Sequence, residues 1–463
     1  MPAAGHAAGR AVPGPGGAEA AWVLARVPAD PLDTYLRLHA RYGDAIRVPF
    51  APRRSFFLLG RPEHAEHVLA KNQDNYVKAF TYRPLRALVG NGLLTSEGET
   101  WRRHRRLVQP VYSRRQVTQL GPHMTAAAGR LARRWAAVPD RSLVDVAREM
   151  SALTLEVAGL ALFGTDLTGD AAEMNRAMAV GQRAAILTML LPVSWGPRST
   201  RVVKAASRWL SRTPGGIDGV VTRLIAGRRA AGAAGGQPRD LLDVLLAARD
   251  EEGRPLTDTE IGDELATFLL AGHETSANTL AWAFTLLSAH PKARRQLEDE
   301  LDAVLGDRDP TASDVTRLPW ARAVVSETLR LYPPAWTIER DALAGDNVAG
   351  VPVPGRSLVV ISPYLVHRHP DFWPDPAGFD PRRFLPGGHG DPAARHRYAF
   401  IPFGGGRRAC VGAAFAELET VIALATLARR FRLDLTATGL PQPLAHVTLR
   451  PGRHLPMLLR HRQ

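Results

Sequence analysis

Along the chain, hydrophobic and polar positions first fall into a clear rhythm at Pro31 to Tyr42, which reads as a helix. Two short extended runs follow, Ala45 to Phe50 and Ser55 to Leu59, separated by Ala-Pro-Arg-Arg, a hairpin pattern. From Pro62 to about Ala344 the periodicity is predominantly helical. It is interrupted by Gly-Gly-Gln-Pro at 235–238 and by Gly306 to Pro310, both predicted to be loops within the fold. Strand-like pieces return at Asn347 to Val353 and Ser357 to Ser362, hinged by Pro354-Gly355. Residues 368–410 are dense in Pro, Gly, Asp and Arg with little periodicity; such a stretch in a compact protein is functional or packed by something specific. No repeat and no linker is visible. The pattern predicts a mainly α chain with a small β portion, folded as a single domain over 21–463. Residues 1–20, small, Gly/Pro-rich and nearly without charge, are expected to form a disordered tail.

One predicted helix stands apart. Thr257-Asp-Thr-Glu260 fits a capping box, and the helix it opens can run to His290 before Pro291 stops it. At ~1.5 Å per residue it spans nearly 50 Å. Its middle, Phe268-Leu-Leu-Ala271-Gly272-His273-Glu274-Thr275-Ser276-Ala277, sets a compact polar island among apolar residues. A buried carboxylate costs several kcal/mol unless paired. Glu274 beside Thr275, just after Ala271-Gly272, therefore suggests a helix locally widened where an acid and a hydroxyl are needed; the competing reading is a surface polar face. A further helix ends at Tyr332-Pro333-Pro334, and on it Glu327 and Arg330, three apart, share a face and can pair.

The single cysteine, Cys410, lies in Phe403-Gly-Gly-Gly-Arg-Arg-Ala-Cys410-Val-Gly412, just before an apolar helical run from Phe415 to Phe431. One thiol cannot form an internal disulfide, a multi-thiolate zinc site or an iron–sulfur ligand set. If it does chemistry, it acts as a nucleophile or as the sole axial ligand of a metal cofactor; a buried structural cysteine is the other reading. Gly404 to Gly406 and Gly412 let the backbone approach a flat object closely. Arg407 and Arg408 add fixed positive charge, and a helix start favours the thiolate.

Composition changes this picture little. Hydrophobic residues make up 45% and charged residues 22%, which is ordinary globular composition. The net charge of +14 comes from 59 basic and 45 acidic residues, and only Lys71, Lys78, Lys204 and Lys292 are lysines. Between Arg102 and Arg115 lie Arg102, Arg103, Arg105, Arg106, Arg114 and Arg115 with no acidic residue, either a solvated face or a patch for an anionic partner. A nucleic-acid binder is disfavoured because aromatic-interleaved basic motifs are lacking. No run of about 20 apolar residues predicts a membrane span, and no signal peptide is expected. A protein without disulfides suits a reducing cytoplasm.

In this order, the motifs make the chain similar to cytochromes P450 from about residue 30 onward. Phe403, Gly406, Arg408, Cys410 and Gly412 meet the pattern Phe-x-x-Gly-x-Arg-x-Cys-x-Gly in full, and Ala271, Gly272, Glu274 and Thr275 meet Ala/Gly-Gly-x-Asp/Glu-Thr. Glu327 and Arg330 meet Glu-x-x-Arg; Pro381-Arg-Arg383-Phe384 and Trp101-x-x-x-Arg105 resemble two further elements, with Trp101 where many bacterial relatives carry histidine. The resemblance implies the P450 fold with a long central helix crossing over the haem. It also implies haem b held by the Cys410 thiolate, which pushes electron density onto iron and favours O–O cleavage. Thr275 would hydrogen-bond dioxygen, Glu274 would relay protons through water, and Gly272 would leave room beside Ala271. Arg105, Arg340 and Arg408, with Trp101, would hold the propionates. Phe403 would pack by the sulfur, while Glu327, Arg330 and Arg383 would form a structural network.

The function so implied is a haem-thiolate monooxygenase that inserts one atom of O2 into a lipophilic small molecule such as a terpene, fatty acid, steroid or polyketide. After Cys410 come 53 residues with no glycine-rich phosphate loop, so no fused flavin or nicotinamide module is expected. NAD(P)H-derived electrons would arrive through a separate reductase and an acidic ferredoxin docked on Arg102–Arg115 and Arg407, with the enzyme a cytoplasmic monomer. Substrate contacts implied by the family fall at Phe80, Tyr82, Leu88, Ile186, Met189, Trp336 and Ile338, each also suited to ordinary core packing. Two other classes stay open. A peroxygenase using hydrogen peroxide would not need the Glu274–Thr275 pair, and neither would a non-catalytic haem sensor.

Overall fold

A computed structural model describes residues 11–52, 54–167, 169, 216–230, 240–388, 391 and 395–462. Its contacts gather the chain into two compact units: Met1–Phe80, Trp336–Pro376 and Arg395–Ala409 form one, and Thr81–Ala335, Ala377–Ala394 and Cys410–Gln463 the other. No linker marks this division in the sequence because each unit draws on segments from both ends of the chain.

The first unit is built around a sheet. Strands β1 (Ala45–Ala51) and β2 (Arg54–Leu59) form the expected hairpin, with Ile46 and Val48 of β1 buried at alternate positions. The remaining strands are β3 (Tyr76–Lys78), β5 (Ile338–Ala342) and β8 (Leu358–Ile361), in the order β1-β2-β8-β5-β3. Only the β2–β8 pairing is parallel, with Phe57 opposite Val359, and β2 is apolar on both faces as a buried parallel neighbour requires. The helix Pro31–Tyr42 begins on Asp30, whose carboxylate accepts from the Asp33 N–H, and stops at Gly43 with φ 87°.

Two expectations need correction here. Part of the supposed tail is ordered: a helix covers Gly17–Arg26, the Tyr42 hydroxyl donates to Glu19 at 2.7 Å, and the Arg47 N–H donates to the Pro13 carbonyl at 2.8 Å. Its low charge had suggested disorder, but these bonds to the sheet and to the next helix hold it. The run Asn347 to Val353 is also not one strand. It is a small antiparallel pair, β6 (Asp346–Val348) and β7 (Val351–Val353), turning at Ala349 and Gly350, both with positive φ.

The second unit is helical. Its axis is the helix Asp258–Ala289, opened by the expected capping box in which Thr257 Oγ1 accepts from the Glu260 N–H and Glu260 accepts from the Thr257 N–H. Around it pack the helices Val146–Phe163, Pro319–Leu331 and Ala413–Arg430. Trp282 stacks on Tyr332 with ring centroids 3.6 Å apart. Because neighbours cover most of its surface, this helix is apolar around most of its circumference rather than along one stripe. A three-stranded sheet, β4 (Ser142–Asp145), β12 (Pro456–His461) and β9 (Phe431–Leu435), and the short pair β10 (Leu444–Ala445) and β11 (Leu449–Arg450), complete the unit. Among the described helices none is long and apolar enough to cross a membrane.

Candidate active site

The polar island sits where the sequence placed it, and its burial separates two faces. His273, Glu274, Ser276 and Ala277 are buried, whereas Ala271, Gly272 and Thr275 keep open surface in the middle of a core helix. These three residues, at i, i+1 and i+4, share one side of the helix. A Cβ on Gly272 would meet only Leu162 Cδ1 at 3.8 Å, so neighbouring protein does not demand glycine there; the free space lies on the open side. The helix is not widened at this point. It stays α-helical throughout, and the Thr275 hydroxyl donates to the Ala271 carbonyl at 2.6 Å.

Glu274 turns away from that open side. Thr448 Oγ1 donates to its Oε1 at 2.6 Å, Arg450 forms an ion pair with the same oxygen, and Asn278 Nδ2 donates to Thr448 Oγ1 at 3.1 Å. The buried acid is therefore paired, as its desolvation requires. Thr448 and Arg450 escaped the sequence reading because 174 residues separate Thr448 from Glu274, and no local pattern joins the β10–β11 turn to the long helix.

Cys410 opens the helix Ala413–Arg430 from just before its start. The residue keeps exposed surface, yet surrounding protein desolvates its thiol enough to push the pKa up, opposed by the Gly412 N–H and the charge of Arg105. Arg105, four residues beyond the buried Trp101 on the helix Gly98–Val108, donates from Nε to Gln109 Oε1 at 3.1 Å, and burial lowers its pKa against the opposing influence of Cys410.

In the first unit, the loop before the cysteine needs its glycines for identifiable reasons. Gly404 and Gly406 hold φ of 70° and 65°, and a Cβ on Gly406 would fall 1.7 Å from the Leu69 carbonyl oxygen. A Cβ on Gly405 would strike the Tyr398 ring at 2.5 Å. Phe403 and Arg408 flank these glycines half-buried, and Ile338 reaches within 3.8 Å of where a Gly404 Cβ would be. Arg407 is not a free surface charge: its N–H donates to Gln73 Oε1 at 3.0 Å and its guanidinium pairs with Asp74. Arg340 on β5 is 8% exposed and donates to the Glu339 carbonyl at 2.9 Å, with no carboxylate in ion-pair reach among the described residues. A buried guanidinium without a counterion is costly, which fits it to an anionic group bound beside β5.

The Glu327–Arg330 pair is realised as a fully buried fork, Nε to Oε2 and Nη2 to Oε1 both at 2.7 Å. Arg383 lies 3.4 Å from Glu327 Oε1, the Asp380 N–H donates to the same oxygen at 2.9 Å, and Arg330 reaches the Gly378 carbonyl at 2.7 Å. This knot fastens the segment 378–383 to the helix Pro319–Leu331.

Taken over its length, the chain matches the family model "Cytochrome P450" at residues 13–455. The chain belongs to the cytochrome P450 family. Cyclooctatin synthase of Streptomyces melanosporofaciens is 34% identical over 96% of this chain and 94% of its own. Pentalenene oxygenase of Streptomyces avermitilis is 33% identical over 95% and 94%. The crystal structure of a cytochrome P450DA heme domain superposes with a TM-score of 0.85 at 25% identity, covering 98% of each chain. This P450 is thus a haem-thiolate monooxygenase that uses O2 and reducing electrons, with a lone cysteine to supply the thiolate.

The candidate substrate residues divide. Phe80 lies half-buried against Phe50, its centroid 6.3 Å away, with Arg54 over its face and its N–H donating to Asp341 at 3.0 Å. Trp336 packs on Tyr35 and accepts at its carbonyl from the Ser362 hydroxyl, whereas Ile338 joins the core of the first unit. Tyr82 and Leu88 flank and line the helix Arg83–Val89 and remain half-buried. Ile186 and Met189 lie outside the described residues. The basic run differs from its expected free state: Arg103 bridges Asp250 at 3.0 Å and Glu260 at 2.6 Å, Arg102 pairs with Glu99, and Arg106 pairs with Glu99 and Glu251. Arg114 and Arg115 stay exposed without an ion pair among the described residues.

Proposed function

We propose that this P450 oxygenates a cyclic terpenoid hydrocarbon, with Thr275 and Glu274 handling the proton and a separate acidic ferredoxin delivering electrons. The observation that carries the reading is the uncovered trio Ala271, Gly272 and Thr275 amid a buried helix, backed on its closed side by a paired carboxylate. Haem b, gripped by the Cys410 sulfur, supplies dioxygen activation when bound. Arg340, Arg105, Arg408 and Trp101 would hold its propionates; the glycines at 404–406 keep the loop thin, Gly412 would continue it, and Phe403 would shield the sulfur.

Thr275 presents a hydroxyl that can leave the Ala271 carbonyl and donate toward the open side. Glu274 would restore that proton through water by swinging out of its bonds to Thr448 and Arg450. The mostly apolar character of Phe80, Leu88, Trp336 and Ile338 supports a lipophilic guest, and the two Streptomyces relatives, a cyclooctatin synthase and a pentalenene oxygenase, favour terpenoids.

The substrate test is a ferric spin-state titration with cyclic sesquiterpenes and diterpenes beside fatty acids and steroids. Terpenes are expected to shift the spectrum at the lowest concentration; a shift confined to fatty acids or steroids overturns the substrate class. For the proton assignment, Thr275→Ala is expected to keep its haem while diverting reducing equivalents to peroxide. Unchanged product per O2 in that variant would defeat the assignment, and full turnover on hydrogen peroxide alone would favour a peroxygenase.

A further inference from the structure

We propose that the stripe of the long helix bearing Glu260, Glu264 and Thr267, with His104 packed against it, is a second proton-delivery route to Thr275, separate from the Glu274–Thr448–Arg450 cluster. The proposal rests on the Thr275 assignment above. At ~100° per residue, Glu260, Glu264, Thr267, Ala271 and Thr275 stay within roughly 80° of one another, so they form one file down the helix.

The upper part of this file is unusually polar for a core. His104, on the helix Gly98–Val108, places Nδ1 2.6 Å from Glu264 Oε1, with the two residues 1% and 0% exposed. A mere crosslink between two helices would be cheaper in apolar residues, since two ionisable groups must be desolvated to make this one. The crosslink is also incompletely satisfied. His104 Nε2, Glu264 Oε2 and Thr267 Oγ1, at successive points along the stripe, are buried and have no hydrogen-bond partner. Buried polar atoms in such a row call for ordered water, and water between Glu264 and Thr267 spans one helical turn toward the Ala271 carbonyl and the Thr275 hydroxyl.

The outer end reaches solvent. Glu260 is partly exposed, and its Oε1, which also accepts from Arg103 at 2.6 Å, stands 3.5 Å from His104 Nε2. Burial raises the Glu260 carboxyl, but the Thr257 N–H and Arg103 outweigh it and keep it below its usual range, so the proton comes from solvent past this carboxylate. It forms the Nε2–H bond as the Nδ1–H bond breaks and that proton moves to Glu264; rotation of the imidazole then turns its N–H back toward Glu264 and resets the ring. Glu264 next hands a proton from its carboxyl to the water beside Thr267, so each cycle moves one proton inward and leaves the charges unchanged. Burial pushes the Glu264 carboxyl up, against the His104 bond, and burial disfavours charged His104, but Glu264 and Glu260 outweigh it and push that pKa up. The other charged or titratable groups facing the pair are Arg103, Asp250, Asp263 and Tyr112, and the Leu93 N–H also faces the Glu264 carboxylate.

The experiment compares Glu264→Gln, Thr267→Val and Thr275→Ala in the haem-loaded enzyme. Product per O2 and its solvent deuterium isotope effect are followed from about pH 6 to pH 9, and the carboxyl region is followed by infrared pH titration without turnover. Glu264→Gln and Thr267→Val are expected to lower coupling about three- to tenfold at the alkaline end, short of the ~100-fold a sole donor supplies. A titrating protonated carboxyl band present in the wild type should vanish in Glu264→Gln, with melting little changed. Unchanged isotope effects and pH profiles in both variants, or no band lost in Glu264→Gln, overturn the route. If Thr275→Ala alone leaves coupling intact, the Thr275 assignment fails, and the infrared band still decides whether Glu264 carries a proton.

Discussion

Glu419, on the helix Ala413–Arg430, is 1% exposed, and among the described residues neither carboxylate oxygen has a close hydrogen-bond partner, although Ser276 of the long helix faces it. Burial pushes its pKa from 4.5 up to about 8. The native state thus keeps a proton that the unfolded chain has already lost. Its contribution is complete below pH 4.5 and disappears as pH rises to about 8, a change on the order of 4 kcal/mol. Glu419→Gln, with no charge to lose, is expected to flatten this dependence, which urea unfolding at about pH 5 and pH 9 would measure. Were the wild type as stable at the alkaline end as at the acid end, the buried neutral acid would be refuted. Arg340 offers a second residue-scale prediction. Arg340→Leu should weaken haem retention about tenfold, ~1.4 kcal/mol, in a transfer assay to apomyoglobin. Equal retention would remove it from the propionate contacts.

At the scale of elements, the knot of Glu327, Arg330 and Arg383 separates a legible feature from an illegible one. The i,i+3 spacing showed that Glu327 and Arg330 could pair, because helix geometry is local. That the pair would be completely buried and fork-bonded depended on the segment 378–383 folding over it, which no periodicity encodes. Arg330→Met removes the fork and leaves the buried Glu327 only Arg383 and the Asp380 N–H, and is expected to cost about 3 kcal/mol in denaturant unfolding. A loss below 1 kcal/mol would mean that water reaches the site. The capping box at Thr257 was equally readable, since its partners lie three residues apart. Thr257→Ala should cost about 1 kcal/mol, measurable as a shift in unfolding midpoint. By contrast, β6 and β7 were read as one strand, because Ala349 and Gly350 carry too weak a turn signal for the positive φ values they adopt.

For the whole molecule, the basic face must be redrawn from the structure. Arg103 and Arg106, nominally available for a redox partner, are engaged by Asp250, Glu260, Glu99 and Glu251, which leaves the exposed Arg114 and Arg115. Reversing both to glutamate should raise the ferredoxin KM several-fold at low ionic strength and have little effect at high salt, as screening requires. Salt-independent kinetics with unchanged KM would move the docking face elsewhere. Sequence alone determined the family and the chemistry, because the cysteine loop, the acid–alcohol pair and the Glu327–Arg330 pair each reside within a few consecutive residues whose geometry is set by local backbone rules. Tertiary structure alone decided which charges are spent and which polar groups are left wanting. Arg450 reaches Glu274, and His104 meets Glu264 across 160 residues, through packing that only the folded chain brings about.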